Sequence, residues 1–597
     1  MAPTKPFAGP LRKLVFAFDV GTTFSGIGYA ILDPGVIPKV QAVTRFPGQE
    51  NGDFKIPSIL YYTQDGKVHA AGAEAAAPLM KLEAEDLNLV FVQWFKLHLR
   101  PRTMGVESAD TLYPLPHGRT VLDIFSDFLS YLFTCARTFI VETHANGQSL
   151  WDSVQGSIDF VLSHPNGWEG LQQSGMRRAA VLAGLIPDNA TGHGQVHFVT
   201  EGEASFHYCL DNGLASDVIK DGANIIIIDA GGGTVDLSTY TVSTTAPISV
   251  EEITSPDCIL QGSTRINVRA LEFLQAKLLN SRYGNEEDIA TMLEQFEKTT
   301  KLTFRNPSEK STIKFGSNRD KDPEFDIRSG HLTLEGASIA KLFNPSVEGI
   351  IDAVRKQLES ASGKVGAAFL VGGFAASPYL FSSLRELLKE EGLDICRPDN
   401  YTNKAVAEGA VSFFLEHFVT VRVTKMAYGS PHQDPWVLPH HTHYDSNNPE
   451  HRHRSVQAYT RPSGKVVVPN AFSIFLQKGS RIRESEERSI ALNLEAVEPS
   501  SLNNITVNIV SYRGNEPKPH WTDLEPDLFS TLCTVTADTS AVTRVKQLGT
   551  NGVYYTQDFK VVLMCGLTEM KAHISWIQDG IERQGAAKIV YDVEATC

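Results

Sequence analysis

Over residues 1–420, short unbroken apolar runs alternate with longer stretches whose apolar residues recur at helical spacing. The runs at 56–62, 158–163, 196–200 and 367–371 predict strands, with 67–70 returning after the turn Gln64-Asp65-Gly66. Val121, Ile124, Phe125, Phe128, Leu129 and Leu132 line one face and predict a helix over 121–142. Further helices are expected at 167–184, from 201 through 212, at 264–305, at 377–391 and at 403–417. Strands alternating with helices imply a layered α/β body with mainly parallel strands. Near residue 420 the texture changes. Residues 430–455 are polar and rich in proline and histidine, and read as a loop. Short alternating runs then follow at 465–468, 472–476, 489–494, 505–511, 531–536, 558–564 and 587–592, which predict a compact β domain. The expected divisions are 1–223, 224–420 and 421–597.

Two of the segments match each other. Residues 14–32 read LVFAFDVGTTFSGIGYAIL and residues 224–242 read NIIIIDAGGGTVDLSTYTV. Each carries an apolar run, an aspartate (Asp19, Asp229), a glycine- and threonine-containing turn, and a second run of strand formers. Glycine lets a backbone turn sharply and bring its N–H groups close to an anion. Gly21, Thr22 and Thr23 form the first turn, and Gly231, Gly232, Gly233 and Thr234 the second. Threonine hydroxyls add donors for phosphate oxygens. A bare carboxylate would repel phosphate, so each aspartate is expected to act through Mg²⁺ and its waters. Either hairpin alone is equally an ordinary turn with a capping aspartate. Two copies in the same order favour a phosphate site between two facing turns.

Composition narrows the picture. A chain of 597 residues exceeds one core and suits two to four domains. A net charge of −15 argues against nonspecific nucleic-acid binding, which needs a basic surface. No run of 18 apolar residues predicts a membrane span, and the basic N-terminal stretch runs straight into the Asp19 turn, so it reads as the first strand rather than a signal peptide. The 7 cysteines are scattered without CxxC pairs, which suits a reducing, cytoplasmic setting. His440, His441 and His443 are conceivable metal ligands, but they lack a second cluster at ligand spacing, and a solvated loop is the simpler reading.

FDVGTTFSGIGYA resembles the first phosphate motif of the actin-like ATPase superfamily, and its Thr22-Thr23-Phe24-Ser25 is similar to the heat shock protein 70 branch. IIDAGGGTVDLS resembles that branch's second phosphate motif. FLVGGFAASPYLFSSL resembles its adenosine motif, NKAVAEGAV the helix after it, and FVTEGEASFHYCL the segment connecting the lobes. The motifs cover about residues 12–418. The resemblance implies a duplicated, ribonuclease H-like two-lobe ATPase fold followed by a smaller β-rich domain, with ATP or ADP and Mg²⁺ as cofactors. It implies that Asp19 and Asp229 hold hydrated Mg²⁺, and that Gly21, Thr22, Thr23, Phe24 and the Gly231–Thr234 turn hold the phosphates. Lys96 would stand near the γ-phosphate and the attacking water. Glu201 would help position Mg²⁺ or water, and Asp236 would orient that water or take its proton. Gly372 and Gly373 would admit the adenosine, with Glu297 and Lys301 as ribose and adenine contacts.

The departures are specific. Phe374 and Ala376 stand where the family has serine and arginine, Gly202 replaces a proline, and neither the acidic interdomain linker nor a helical lid is found. This is the pattern of the family's divergent, lid-less relatives. The function implied is a slowly hydrolysing, chaperone-like ATPase whose β domain meets unfolded or peptide clients. Two alternatives stand beside it: a nucleotide-gated binding or scaffold protein without significant turnover, and a small-molecule kinase of the same superfamily. The absence of GxxxxGK[ST] argues against a P-loop enzyme.

Overall fold

A computed structural model describes residues 5–49, 51–101, 112–168, 170–212, 218–397, 404–435, 449–483, 486–565, 569–586 and 588–589. The chain divides into two compact units, Met1–Val419 and Thr420–Cys597.

The first unit is mixed α/β, built as two halves in a way consistent with an actin-like two-lobe arrangement. In the first half, strand Lys13–Asp19 pairs antiparallel with Phe24–Leu32 and parallel with Ile158–His164, which pairs parallel with Val196–Thr200. In the second half, Asn224–Ala230 pairs antiparallel with Val235–Thr245 and parallel with Val365–Val371, which pairs parallel with Asp394–Cys396. The same hairpin-plus-crossover pattern thus occurs twice. These central strands are buried along nearly their whole length, which is why they read as unbroken apolar runs.

Helices supply the covering layers. Helix Val121–Thr143 begins with a Thr120/Asp123 capping box and buries Ile124, Phe125, Phe128, Leu129 and Leu132 against the first sheet's core. By length and composition it could cross a membrane, and it is the only such helix among the described residues. Here its apolar face is spent on that core. Helix Gly336–Ser360 covers the second sheet, burying Ile339, Phe343, Val347, Ile350 and Val354. Helix Ala405–Leu415 lies against both Glu201–Asp211 and the first sheet. At Gly409 an added Cβ would strike the Ala204 carbonyl, and at Gly28 it would strike that of Ala407, so bare backbone is required at both crossings.

The second unit contains two sheets. One runs in the order Tyr459–Thr460, Val466–Leu476, Ala427–Pro435, Asn504–Tyr512, Phe529–Asp538. The other is built from Glu487–Ala496, Gly552–Cys565, Met570–Gln578 and Ile581–Gln584. Ile505, Ile509 and Val535 of one share a core with Val561, Leu563 and Ile574 of the other. Arg454 is buried in this unit. It forms two 2.7 Å hydrogen bonds to Asp523 and lies 3.9 Å from the centre of the Trp521 ring. That arrangement answers the cost of burying its charge.

Several boundaries differ from the sequence reading. The single strand expected at 56–62 is two, Lys55–Pro57 and Ile59–Tyr62, in different sheets. The chain breaks at Ser58, whose N–H donates to the Thr23 carbonyl at 2.9 Å and whose hydroxyl meets that of Ser25 at 2.8 Å. The helix expected over 264–305 is interrupted between Thr264–Leu278 and Glu286–Gln295, where Asn285 caps a new start. Part of the expected 430–455 loop belongs to strand Ala427–Pro435 and helix Pro449–Gln457. His440, His441 and His443 lie outside the described residues.

Candidate functional site

The two hairpin turns face each other. A Cβ added to Gly232 would press on the Thr23 side chain, and one on Gly233 would press on that of Thr22. The carbonyls of Gly231, Gly232 and Gly233 accept hydrogen bonds from Ser263, Thr264 and Gly262. The second turn is thereby fixed from behind, at the start of helix Thr264–Leu278. Among the described residues, the N–H groups of Thr22, Thr23, Gly232 and Gly233 donate no hydrogen bond. Gly21 and Gly231 are different: their N–H groups close their own turns onto the Ser25 hydroxyl (3.2 Å) and the Thr234 carbonyl (2.9 Å). The Phe24 ring is half-exposed.

Around these turns the chain gathers four buried carboxyl groups and two lysines. Asp19, at the end of its strand, accepts from the Ser163 hydroxyl at 3.1 Å and pairs with Lys55 Nζ at 2.9 Å. Lys96 pairs with Glu201 at 2.5 Å and lies 5.4 Å from the Trp168 ring centre. Asp229 accepts from the Ser205 hydroxyl at 2.6 Å. Asp236 accepts from the Asn166 backbone N–H at 2.5 Å, and the Cys258 thiol and the Thr234 hydroxyl also donate to its carboxyl. Glu201 and Ser205 are one turn apart on helix Glu201–Asp211, so a single helix face serves Lys96 from one half and Asp229 from the other.

Crowding shows in the acidities. Burial, then the Glu201 charge, raises the Asp229 carboxyl from its ordinary 3.8 to about 8, against the opposing Ser205 bond. Burial and Glu201 likewise raise Asp236 to about 7, against the Asn166 N–H. Glu201 is itself raised by burial, with Lys96 opposing. Lys55 is raised: burial works against its charge, but Asp19, Asp229 and Glu201 outweigh it.

No group of three or more His, Cys, Asp or Glu among the described residues forms a direct metal cage. Mg²⁺ does not need one, because it keeps several waters and is commonly held through one or two carboxylates and substrate phosphates. The buried carboxyls of Asp229 and Asp236 fit an ion held in that way, while Asp19 already faces the Lys55 ammonium.

The adenosine-side residues form a second group. Gly372 has φ +89 and packs on Asp229 and the Ala230 carbonyl, where a side chain would collide. Gly373 is exposed with open space beside it. Phe374 is buried in the second half's core, 6.3 Å from Phe343 between ring centres. Glu297 and Lys301 meet each other at 3.2 Å and share Asn267, which donates to Glu297 at 2.7 Å and accepts from Lys301 at 2.9 Å. Glu297 lies within a π-helical turn, Phe296–Thr300, and Lys301 follows it, and their described hydrogen bonds do not join them to the carboxylate cluster. Burial raises the Tyr113 hydroxyl, Gln93 opposes this, and the Glu297 charge adds to it.

Sequence reading missed Lys55, Ser163, Asn166, Trp168 and Ser205. Asn166 also accounts for Gly202: a Cβ there would lie 2.9 Å from Ser238 Oγ and 3.2 Å from the Asn166 amide. That amide donates to the Leu237 carbonyl and the Ser238 hydroxyl.

This duplicated α/β unit with two facing turns is consistent with an actin-like two-lobe fold. No protein-family model matches the chain. It is 23% identical over 500 residues to heat shock 70 kDa protein 12A of Mus musculus, and 24% identical over 504 residues to that of Homo sapiens. To heat shock 70 kDa protein 12B of Homo sapiens it is 23% identical over 506 residues. Each match spans 70% of this chain and 71% of the relative. By these matches the chain is a divergent heat shock protein 70-like relative, similar to the 12A and 12B proteins.

Proposed function

We propose that the first unit binds Mg-ATP between its two halves and hydrolyses it slowly, as the nucleotide-responsive part of a chaperone-like protein in a reducing, cytoplasmic setting. The carrying observation is the opposition of two turns over a cluster of buried acids and lysines, with the N–H groups of Thr22, Thr23, Gly232 and Gly233 donating no hydrogen bond among the described residues. The N–H groups and hydroxyls of Thr22 and Thr23 and the N–H groups of Gly232 and Gly233 hold the phosphates. Mg²⁺, when bound, would be held through Asp229 and waters, with Asp19 and its Lys55 partner beside it, and would supply neutralising charge on the phosphate oxygens. Asp236 orients the attacking water and takes its proton at Oδ2. As the water oxygen bonds to the γ-phosphorus, the bridging P–O bond breaks and ADP leaves with its electrons. Lys96 and Glu201 hold each other and fix the charge beside that water. Phosphoryl transfer asks mainly for positioning and neutralisation, so this set suffices. Gly372 and Gly373 admit the nucleoside beside Glu297 and Lys301, and the second unit meets unfolded or peptide clients.

One observation favours the alternative of binding without turnover: Lys96 is 3% exposed and already engaged by Glu201. The same experiment separates the two readings. ATP binding and single-turnover hydrolysis are measured with Mg²⁺ for the wild type and for Asp229→Ala. Binding with slow hydrolysis, both lost in the variant, is the expected result. Binding without hydrolysis supports the gated-scaffold reading, and no binding by the wild type removes both.

A further inference from the structure

The first hairpin carries a cation that the phosphate motifs do not account for. Strand Lys55–Pro57 pairs with Phe24–Leu32 so that Lys55 lies opposite Gly26, and Gly26 lies opposite Asp19. The three residues form one row across three strands. Gly26 has no side chain, and the Lys55 stem crosses the space this leaves: a Cβ there would lie 3.4 Å from Lys55 Cγ and 3.7 Å from Cε. The ammonium reaches Asp19 Oδ2 at 2.9 Å, an oxygen with no other partner among the described residues. The lysine side chain is 16% exposed and Asp19 only 4%.

We propose that Lys55 is a resident counter-charge of the phosphate site, sitting on the carboxylate that would otherwise depend on a divalent cation, so that this protein binds nucleoside triphosphate with little need of Mg²⁺. This rests on the nucleotide-binding reading above. An ammonium beside Asp19 removes the repulsion between that carboxylate and a phosphate, and its remaining N–H bonds are available to phosphate oxygens. Lys96 does not neutralise Asp19: its Nζ pairs with Glu201. The arrangement is built rather than incidental, since strand pairing over Lys55–Pro57 fixes Lys55 opposite Gly26 and its stem lies in van der Waals reach of the Gly26 position, beside Asp19.

The test uses the full chain and a fluorescent ATP analogue, titrated once with Mg²⁺ and once with EDTA. For the wild type, affinity in EDTA is expected within about threefold of that in Mg²⁺. Lys55→Gln is expected to lose about tenfold or more in EDTA and to recover most of it with Mg²⁺, while Lys55→Arg behaves as the wild type. A merely structural lysine would lower both affinities together. As a nucleotide-free readout, Mg²⁺ alone is expected to raise the melting temperature of Lys55→Gln and not that of the wild type. A wild type that binds only with Mg²⁺ overturns the inference while leaving the nucleotide reading intact, and this arm decides even if the glutamine variant does not fold. Equal Mg²⁺ dependence in the wild type and Lys55→Gln also overturns it. No binding with or without Mg²⁺ overturns both.

Discussion

The two hairpins follow the same backbone plan and differ in what stands opposite their aspartates. Asp19 pairs in register with Gly26, and Asp229 pairs at the same spacing with Asp236. In the first copy the absent side chain leaves room for a lysine from the next strand. In the second, a carboxylate fills that place and is held by the Asn166 N–H. One copy gathers positive charge against its aspartate and the other gathers negative charge. The shared plan places both turns, and a single row of residues decides whether a copy's aspartate faces a lysine or a second carboxylate.

Making the first copy resemble the second should have the largest effect. In Gly26→Asp the new Cβ would lie 3.0 Å from the Phe54 carbonyl oxygen, and the carboxylate would displace Lys55 from Asp19. Two buried, unpaired acids should cost about 2–4 kcal/mol of unfolding free energy. Urea titration checks this against Gly26→Ala, and equal losses in both would mean that volume alone matters.

A smaller effect probes the second copy by pH. In the ligand-free protein in EDTA, Asp229 and Asp236 are raised from 3.8 to about 8 and about 7. The folded state then keeps protons that the unfolded state has released. Their contribution is full below about pH 4 and is lost as pH rises through 7 and 8, so stability falls between pH 5 and 8. Asp236→Asn should flatten this fall, which amounts to at most about 1.4 kcal/mol per pH unit for each proton. Chemical denaturation across that range is the measurement, and a flat wild-type profile would remove the claimed crowding.

The smallest effect belongs to the hydroxyls. Thr23→Val should weaken ATP-analogue binding about three- to tenfold with the fold unchanged, the cost of one or two hydrogen bonds. Unaltered affinity would leave the backbone N–H groups alone in holding the phosphates.

The hairpins were legible because a buried strand is apolar along its length and a sharp turn shows its glycines. Asp19, Asp229, Asp236, Lys96 and Glu201 stood out through local motifs. Lys55 carried no such signal: its role depends on pairing with a strand far away in sequence and on a side chain that Gly26 lacks. The segment 56–62 read as one strand because it is mainly apolar, whereas the pairings place Lys55–Pro57 and Ile59–Tyr62 in different sheets with Ser58 bonded to Thr23 between them. Helix Gly336–Ser360 escaped notice because Pro345 interrupts its pattern, although the helix runs through it. Strand Met570–Gln578 was missed in the same way, its alternation masked by the consecutively buried Ala572 to Trp576. Asn166 and Ser205 are small polar residues whose importance comes only from the aspartates they face.

Helix Glu201–Asp211 grips both halves, Lys96 through its first residue and Asp229 through a serine one turn later. Because both contacts leave one stripe of one helix, the rotational setting of that helix fixes the Lys96 and Asp229 contacts together.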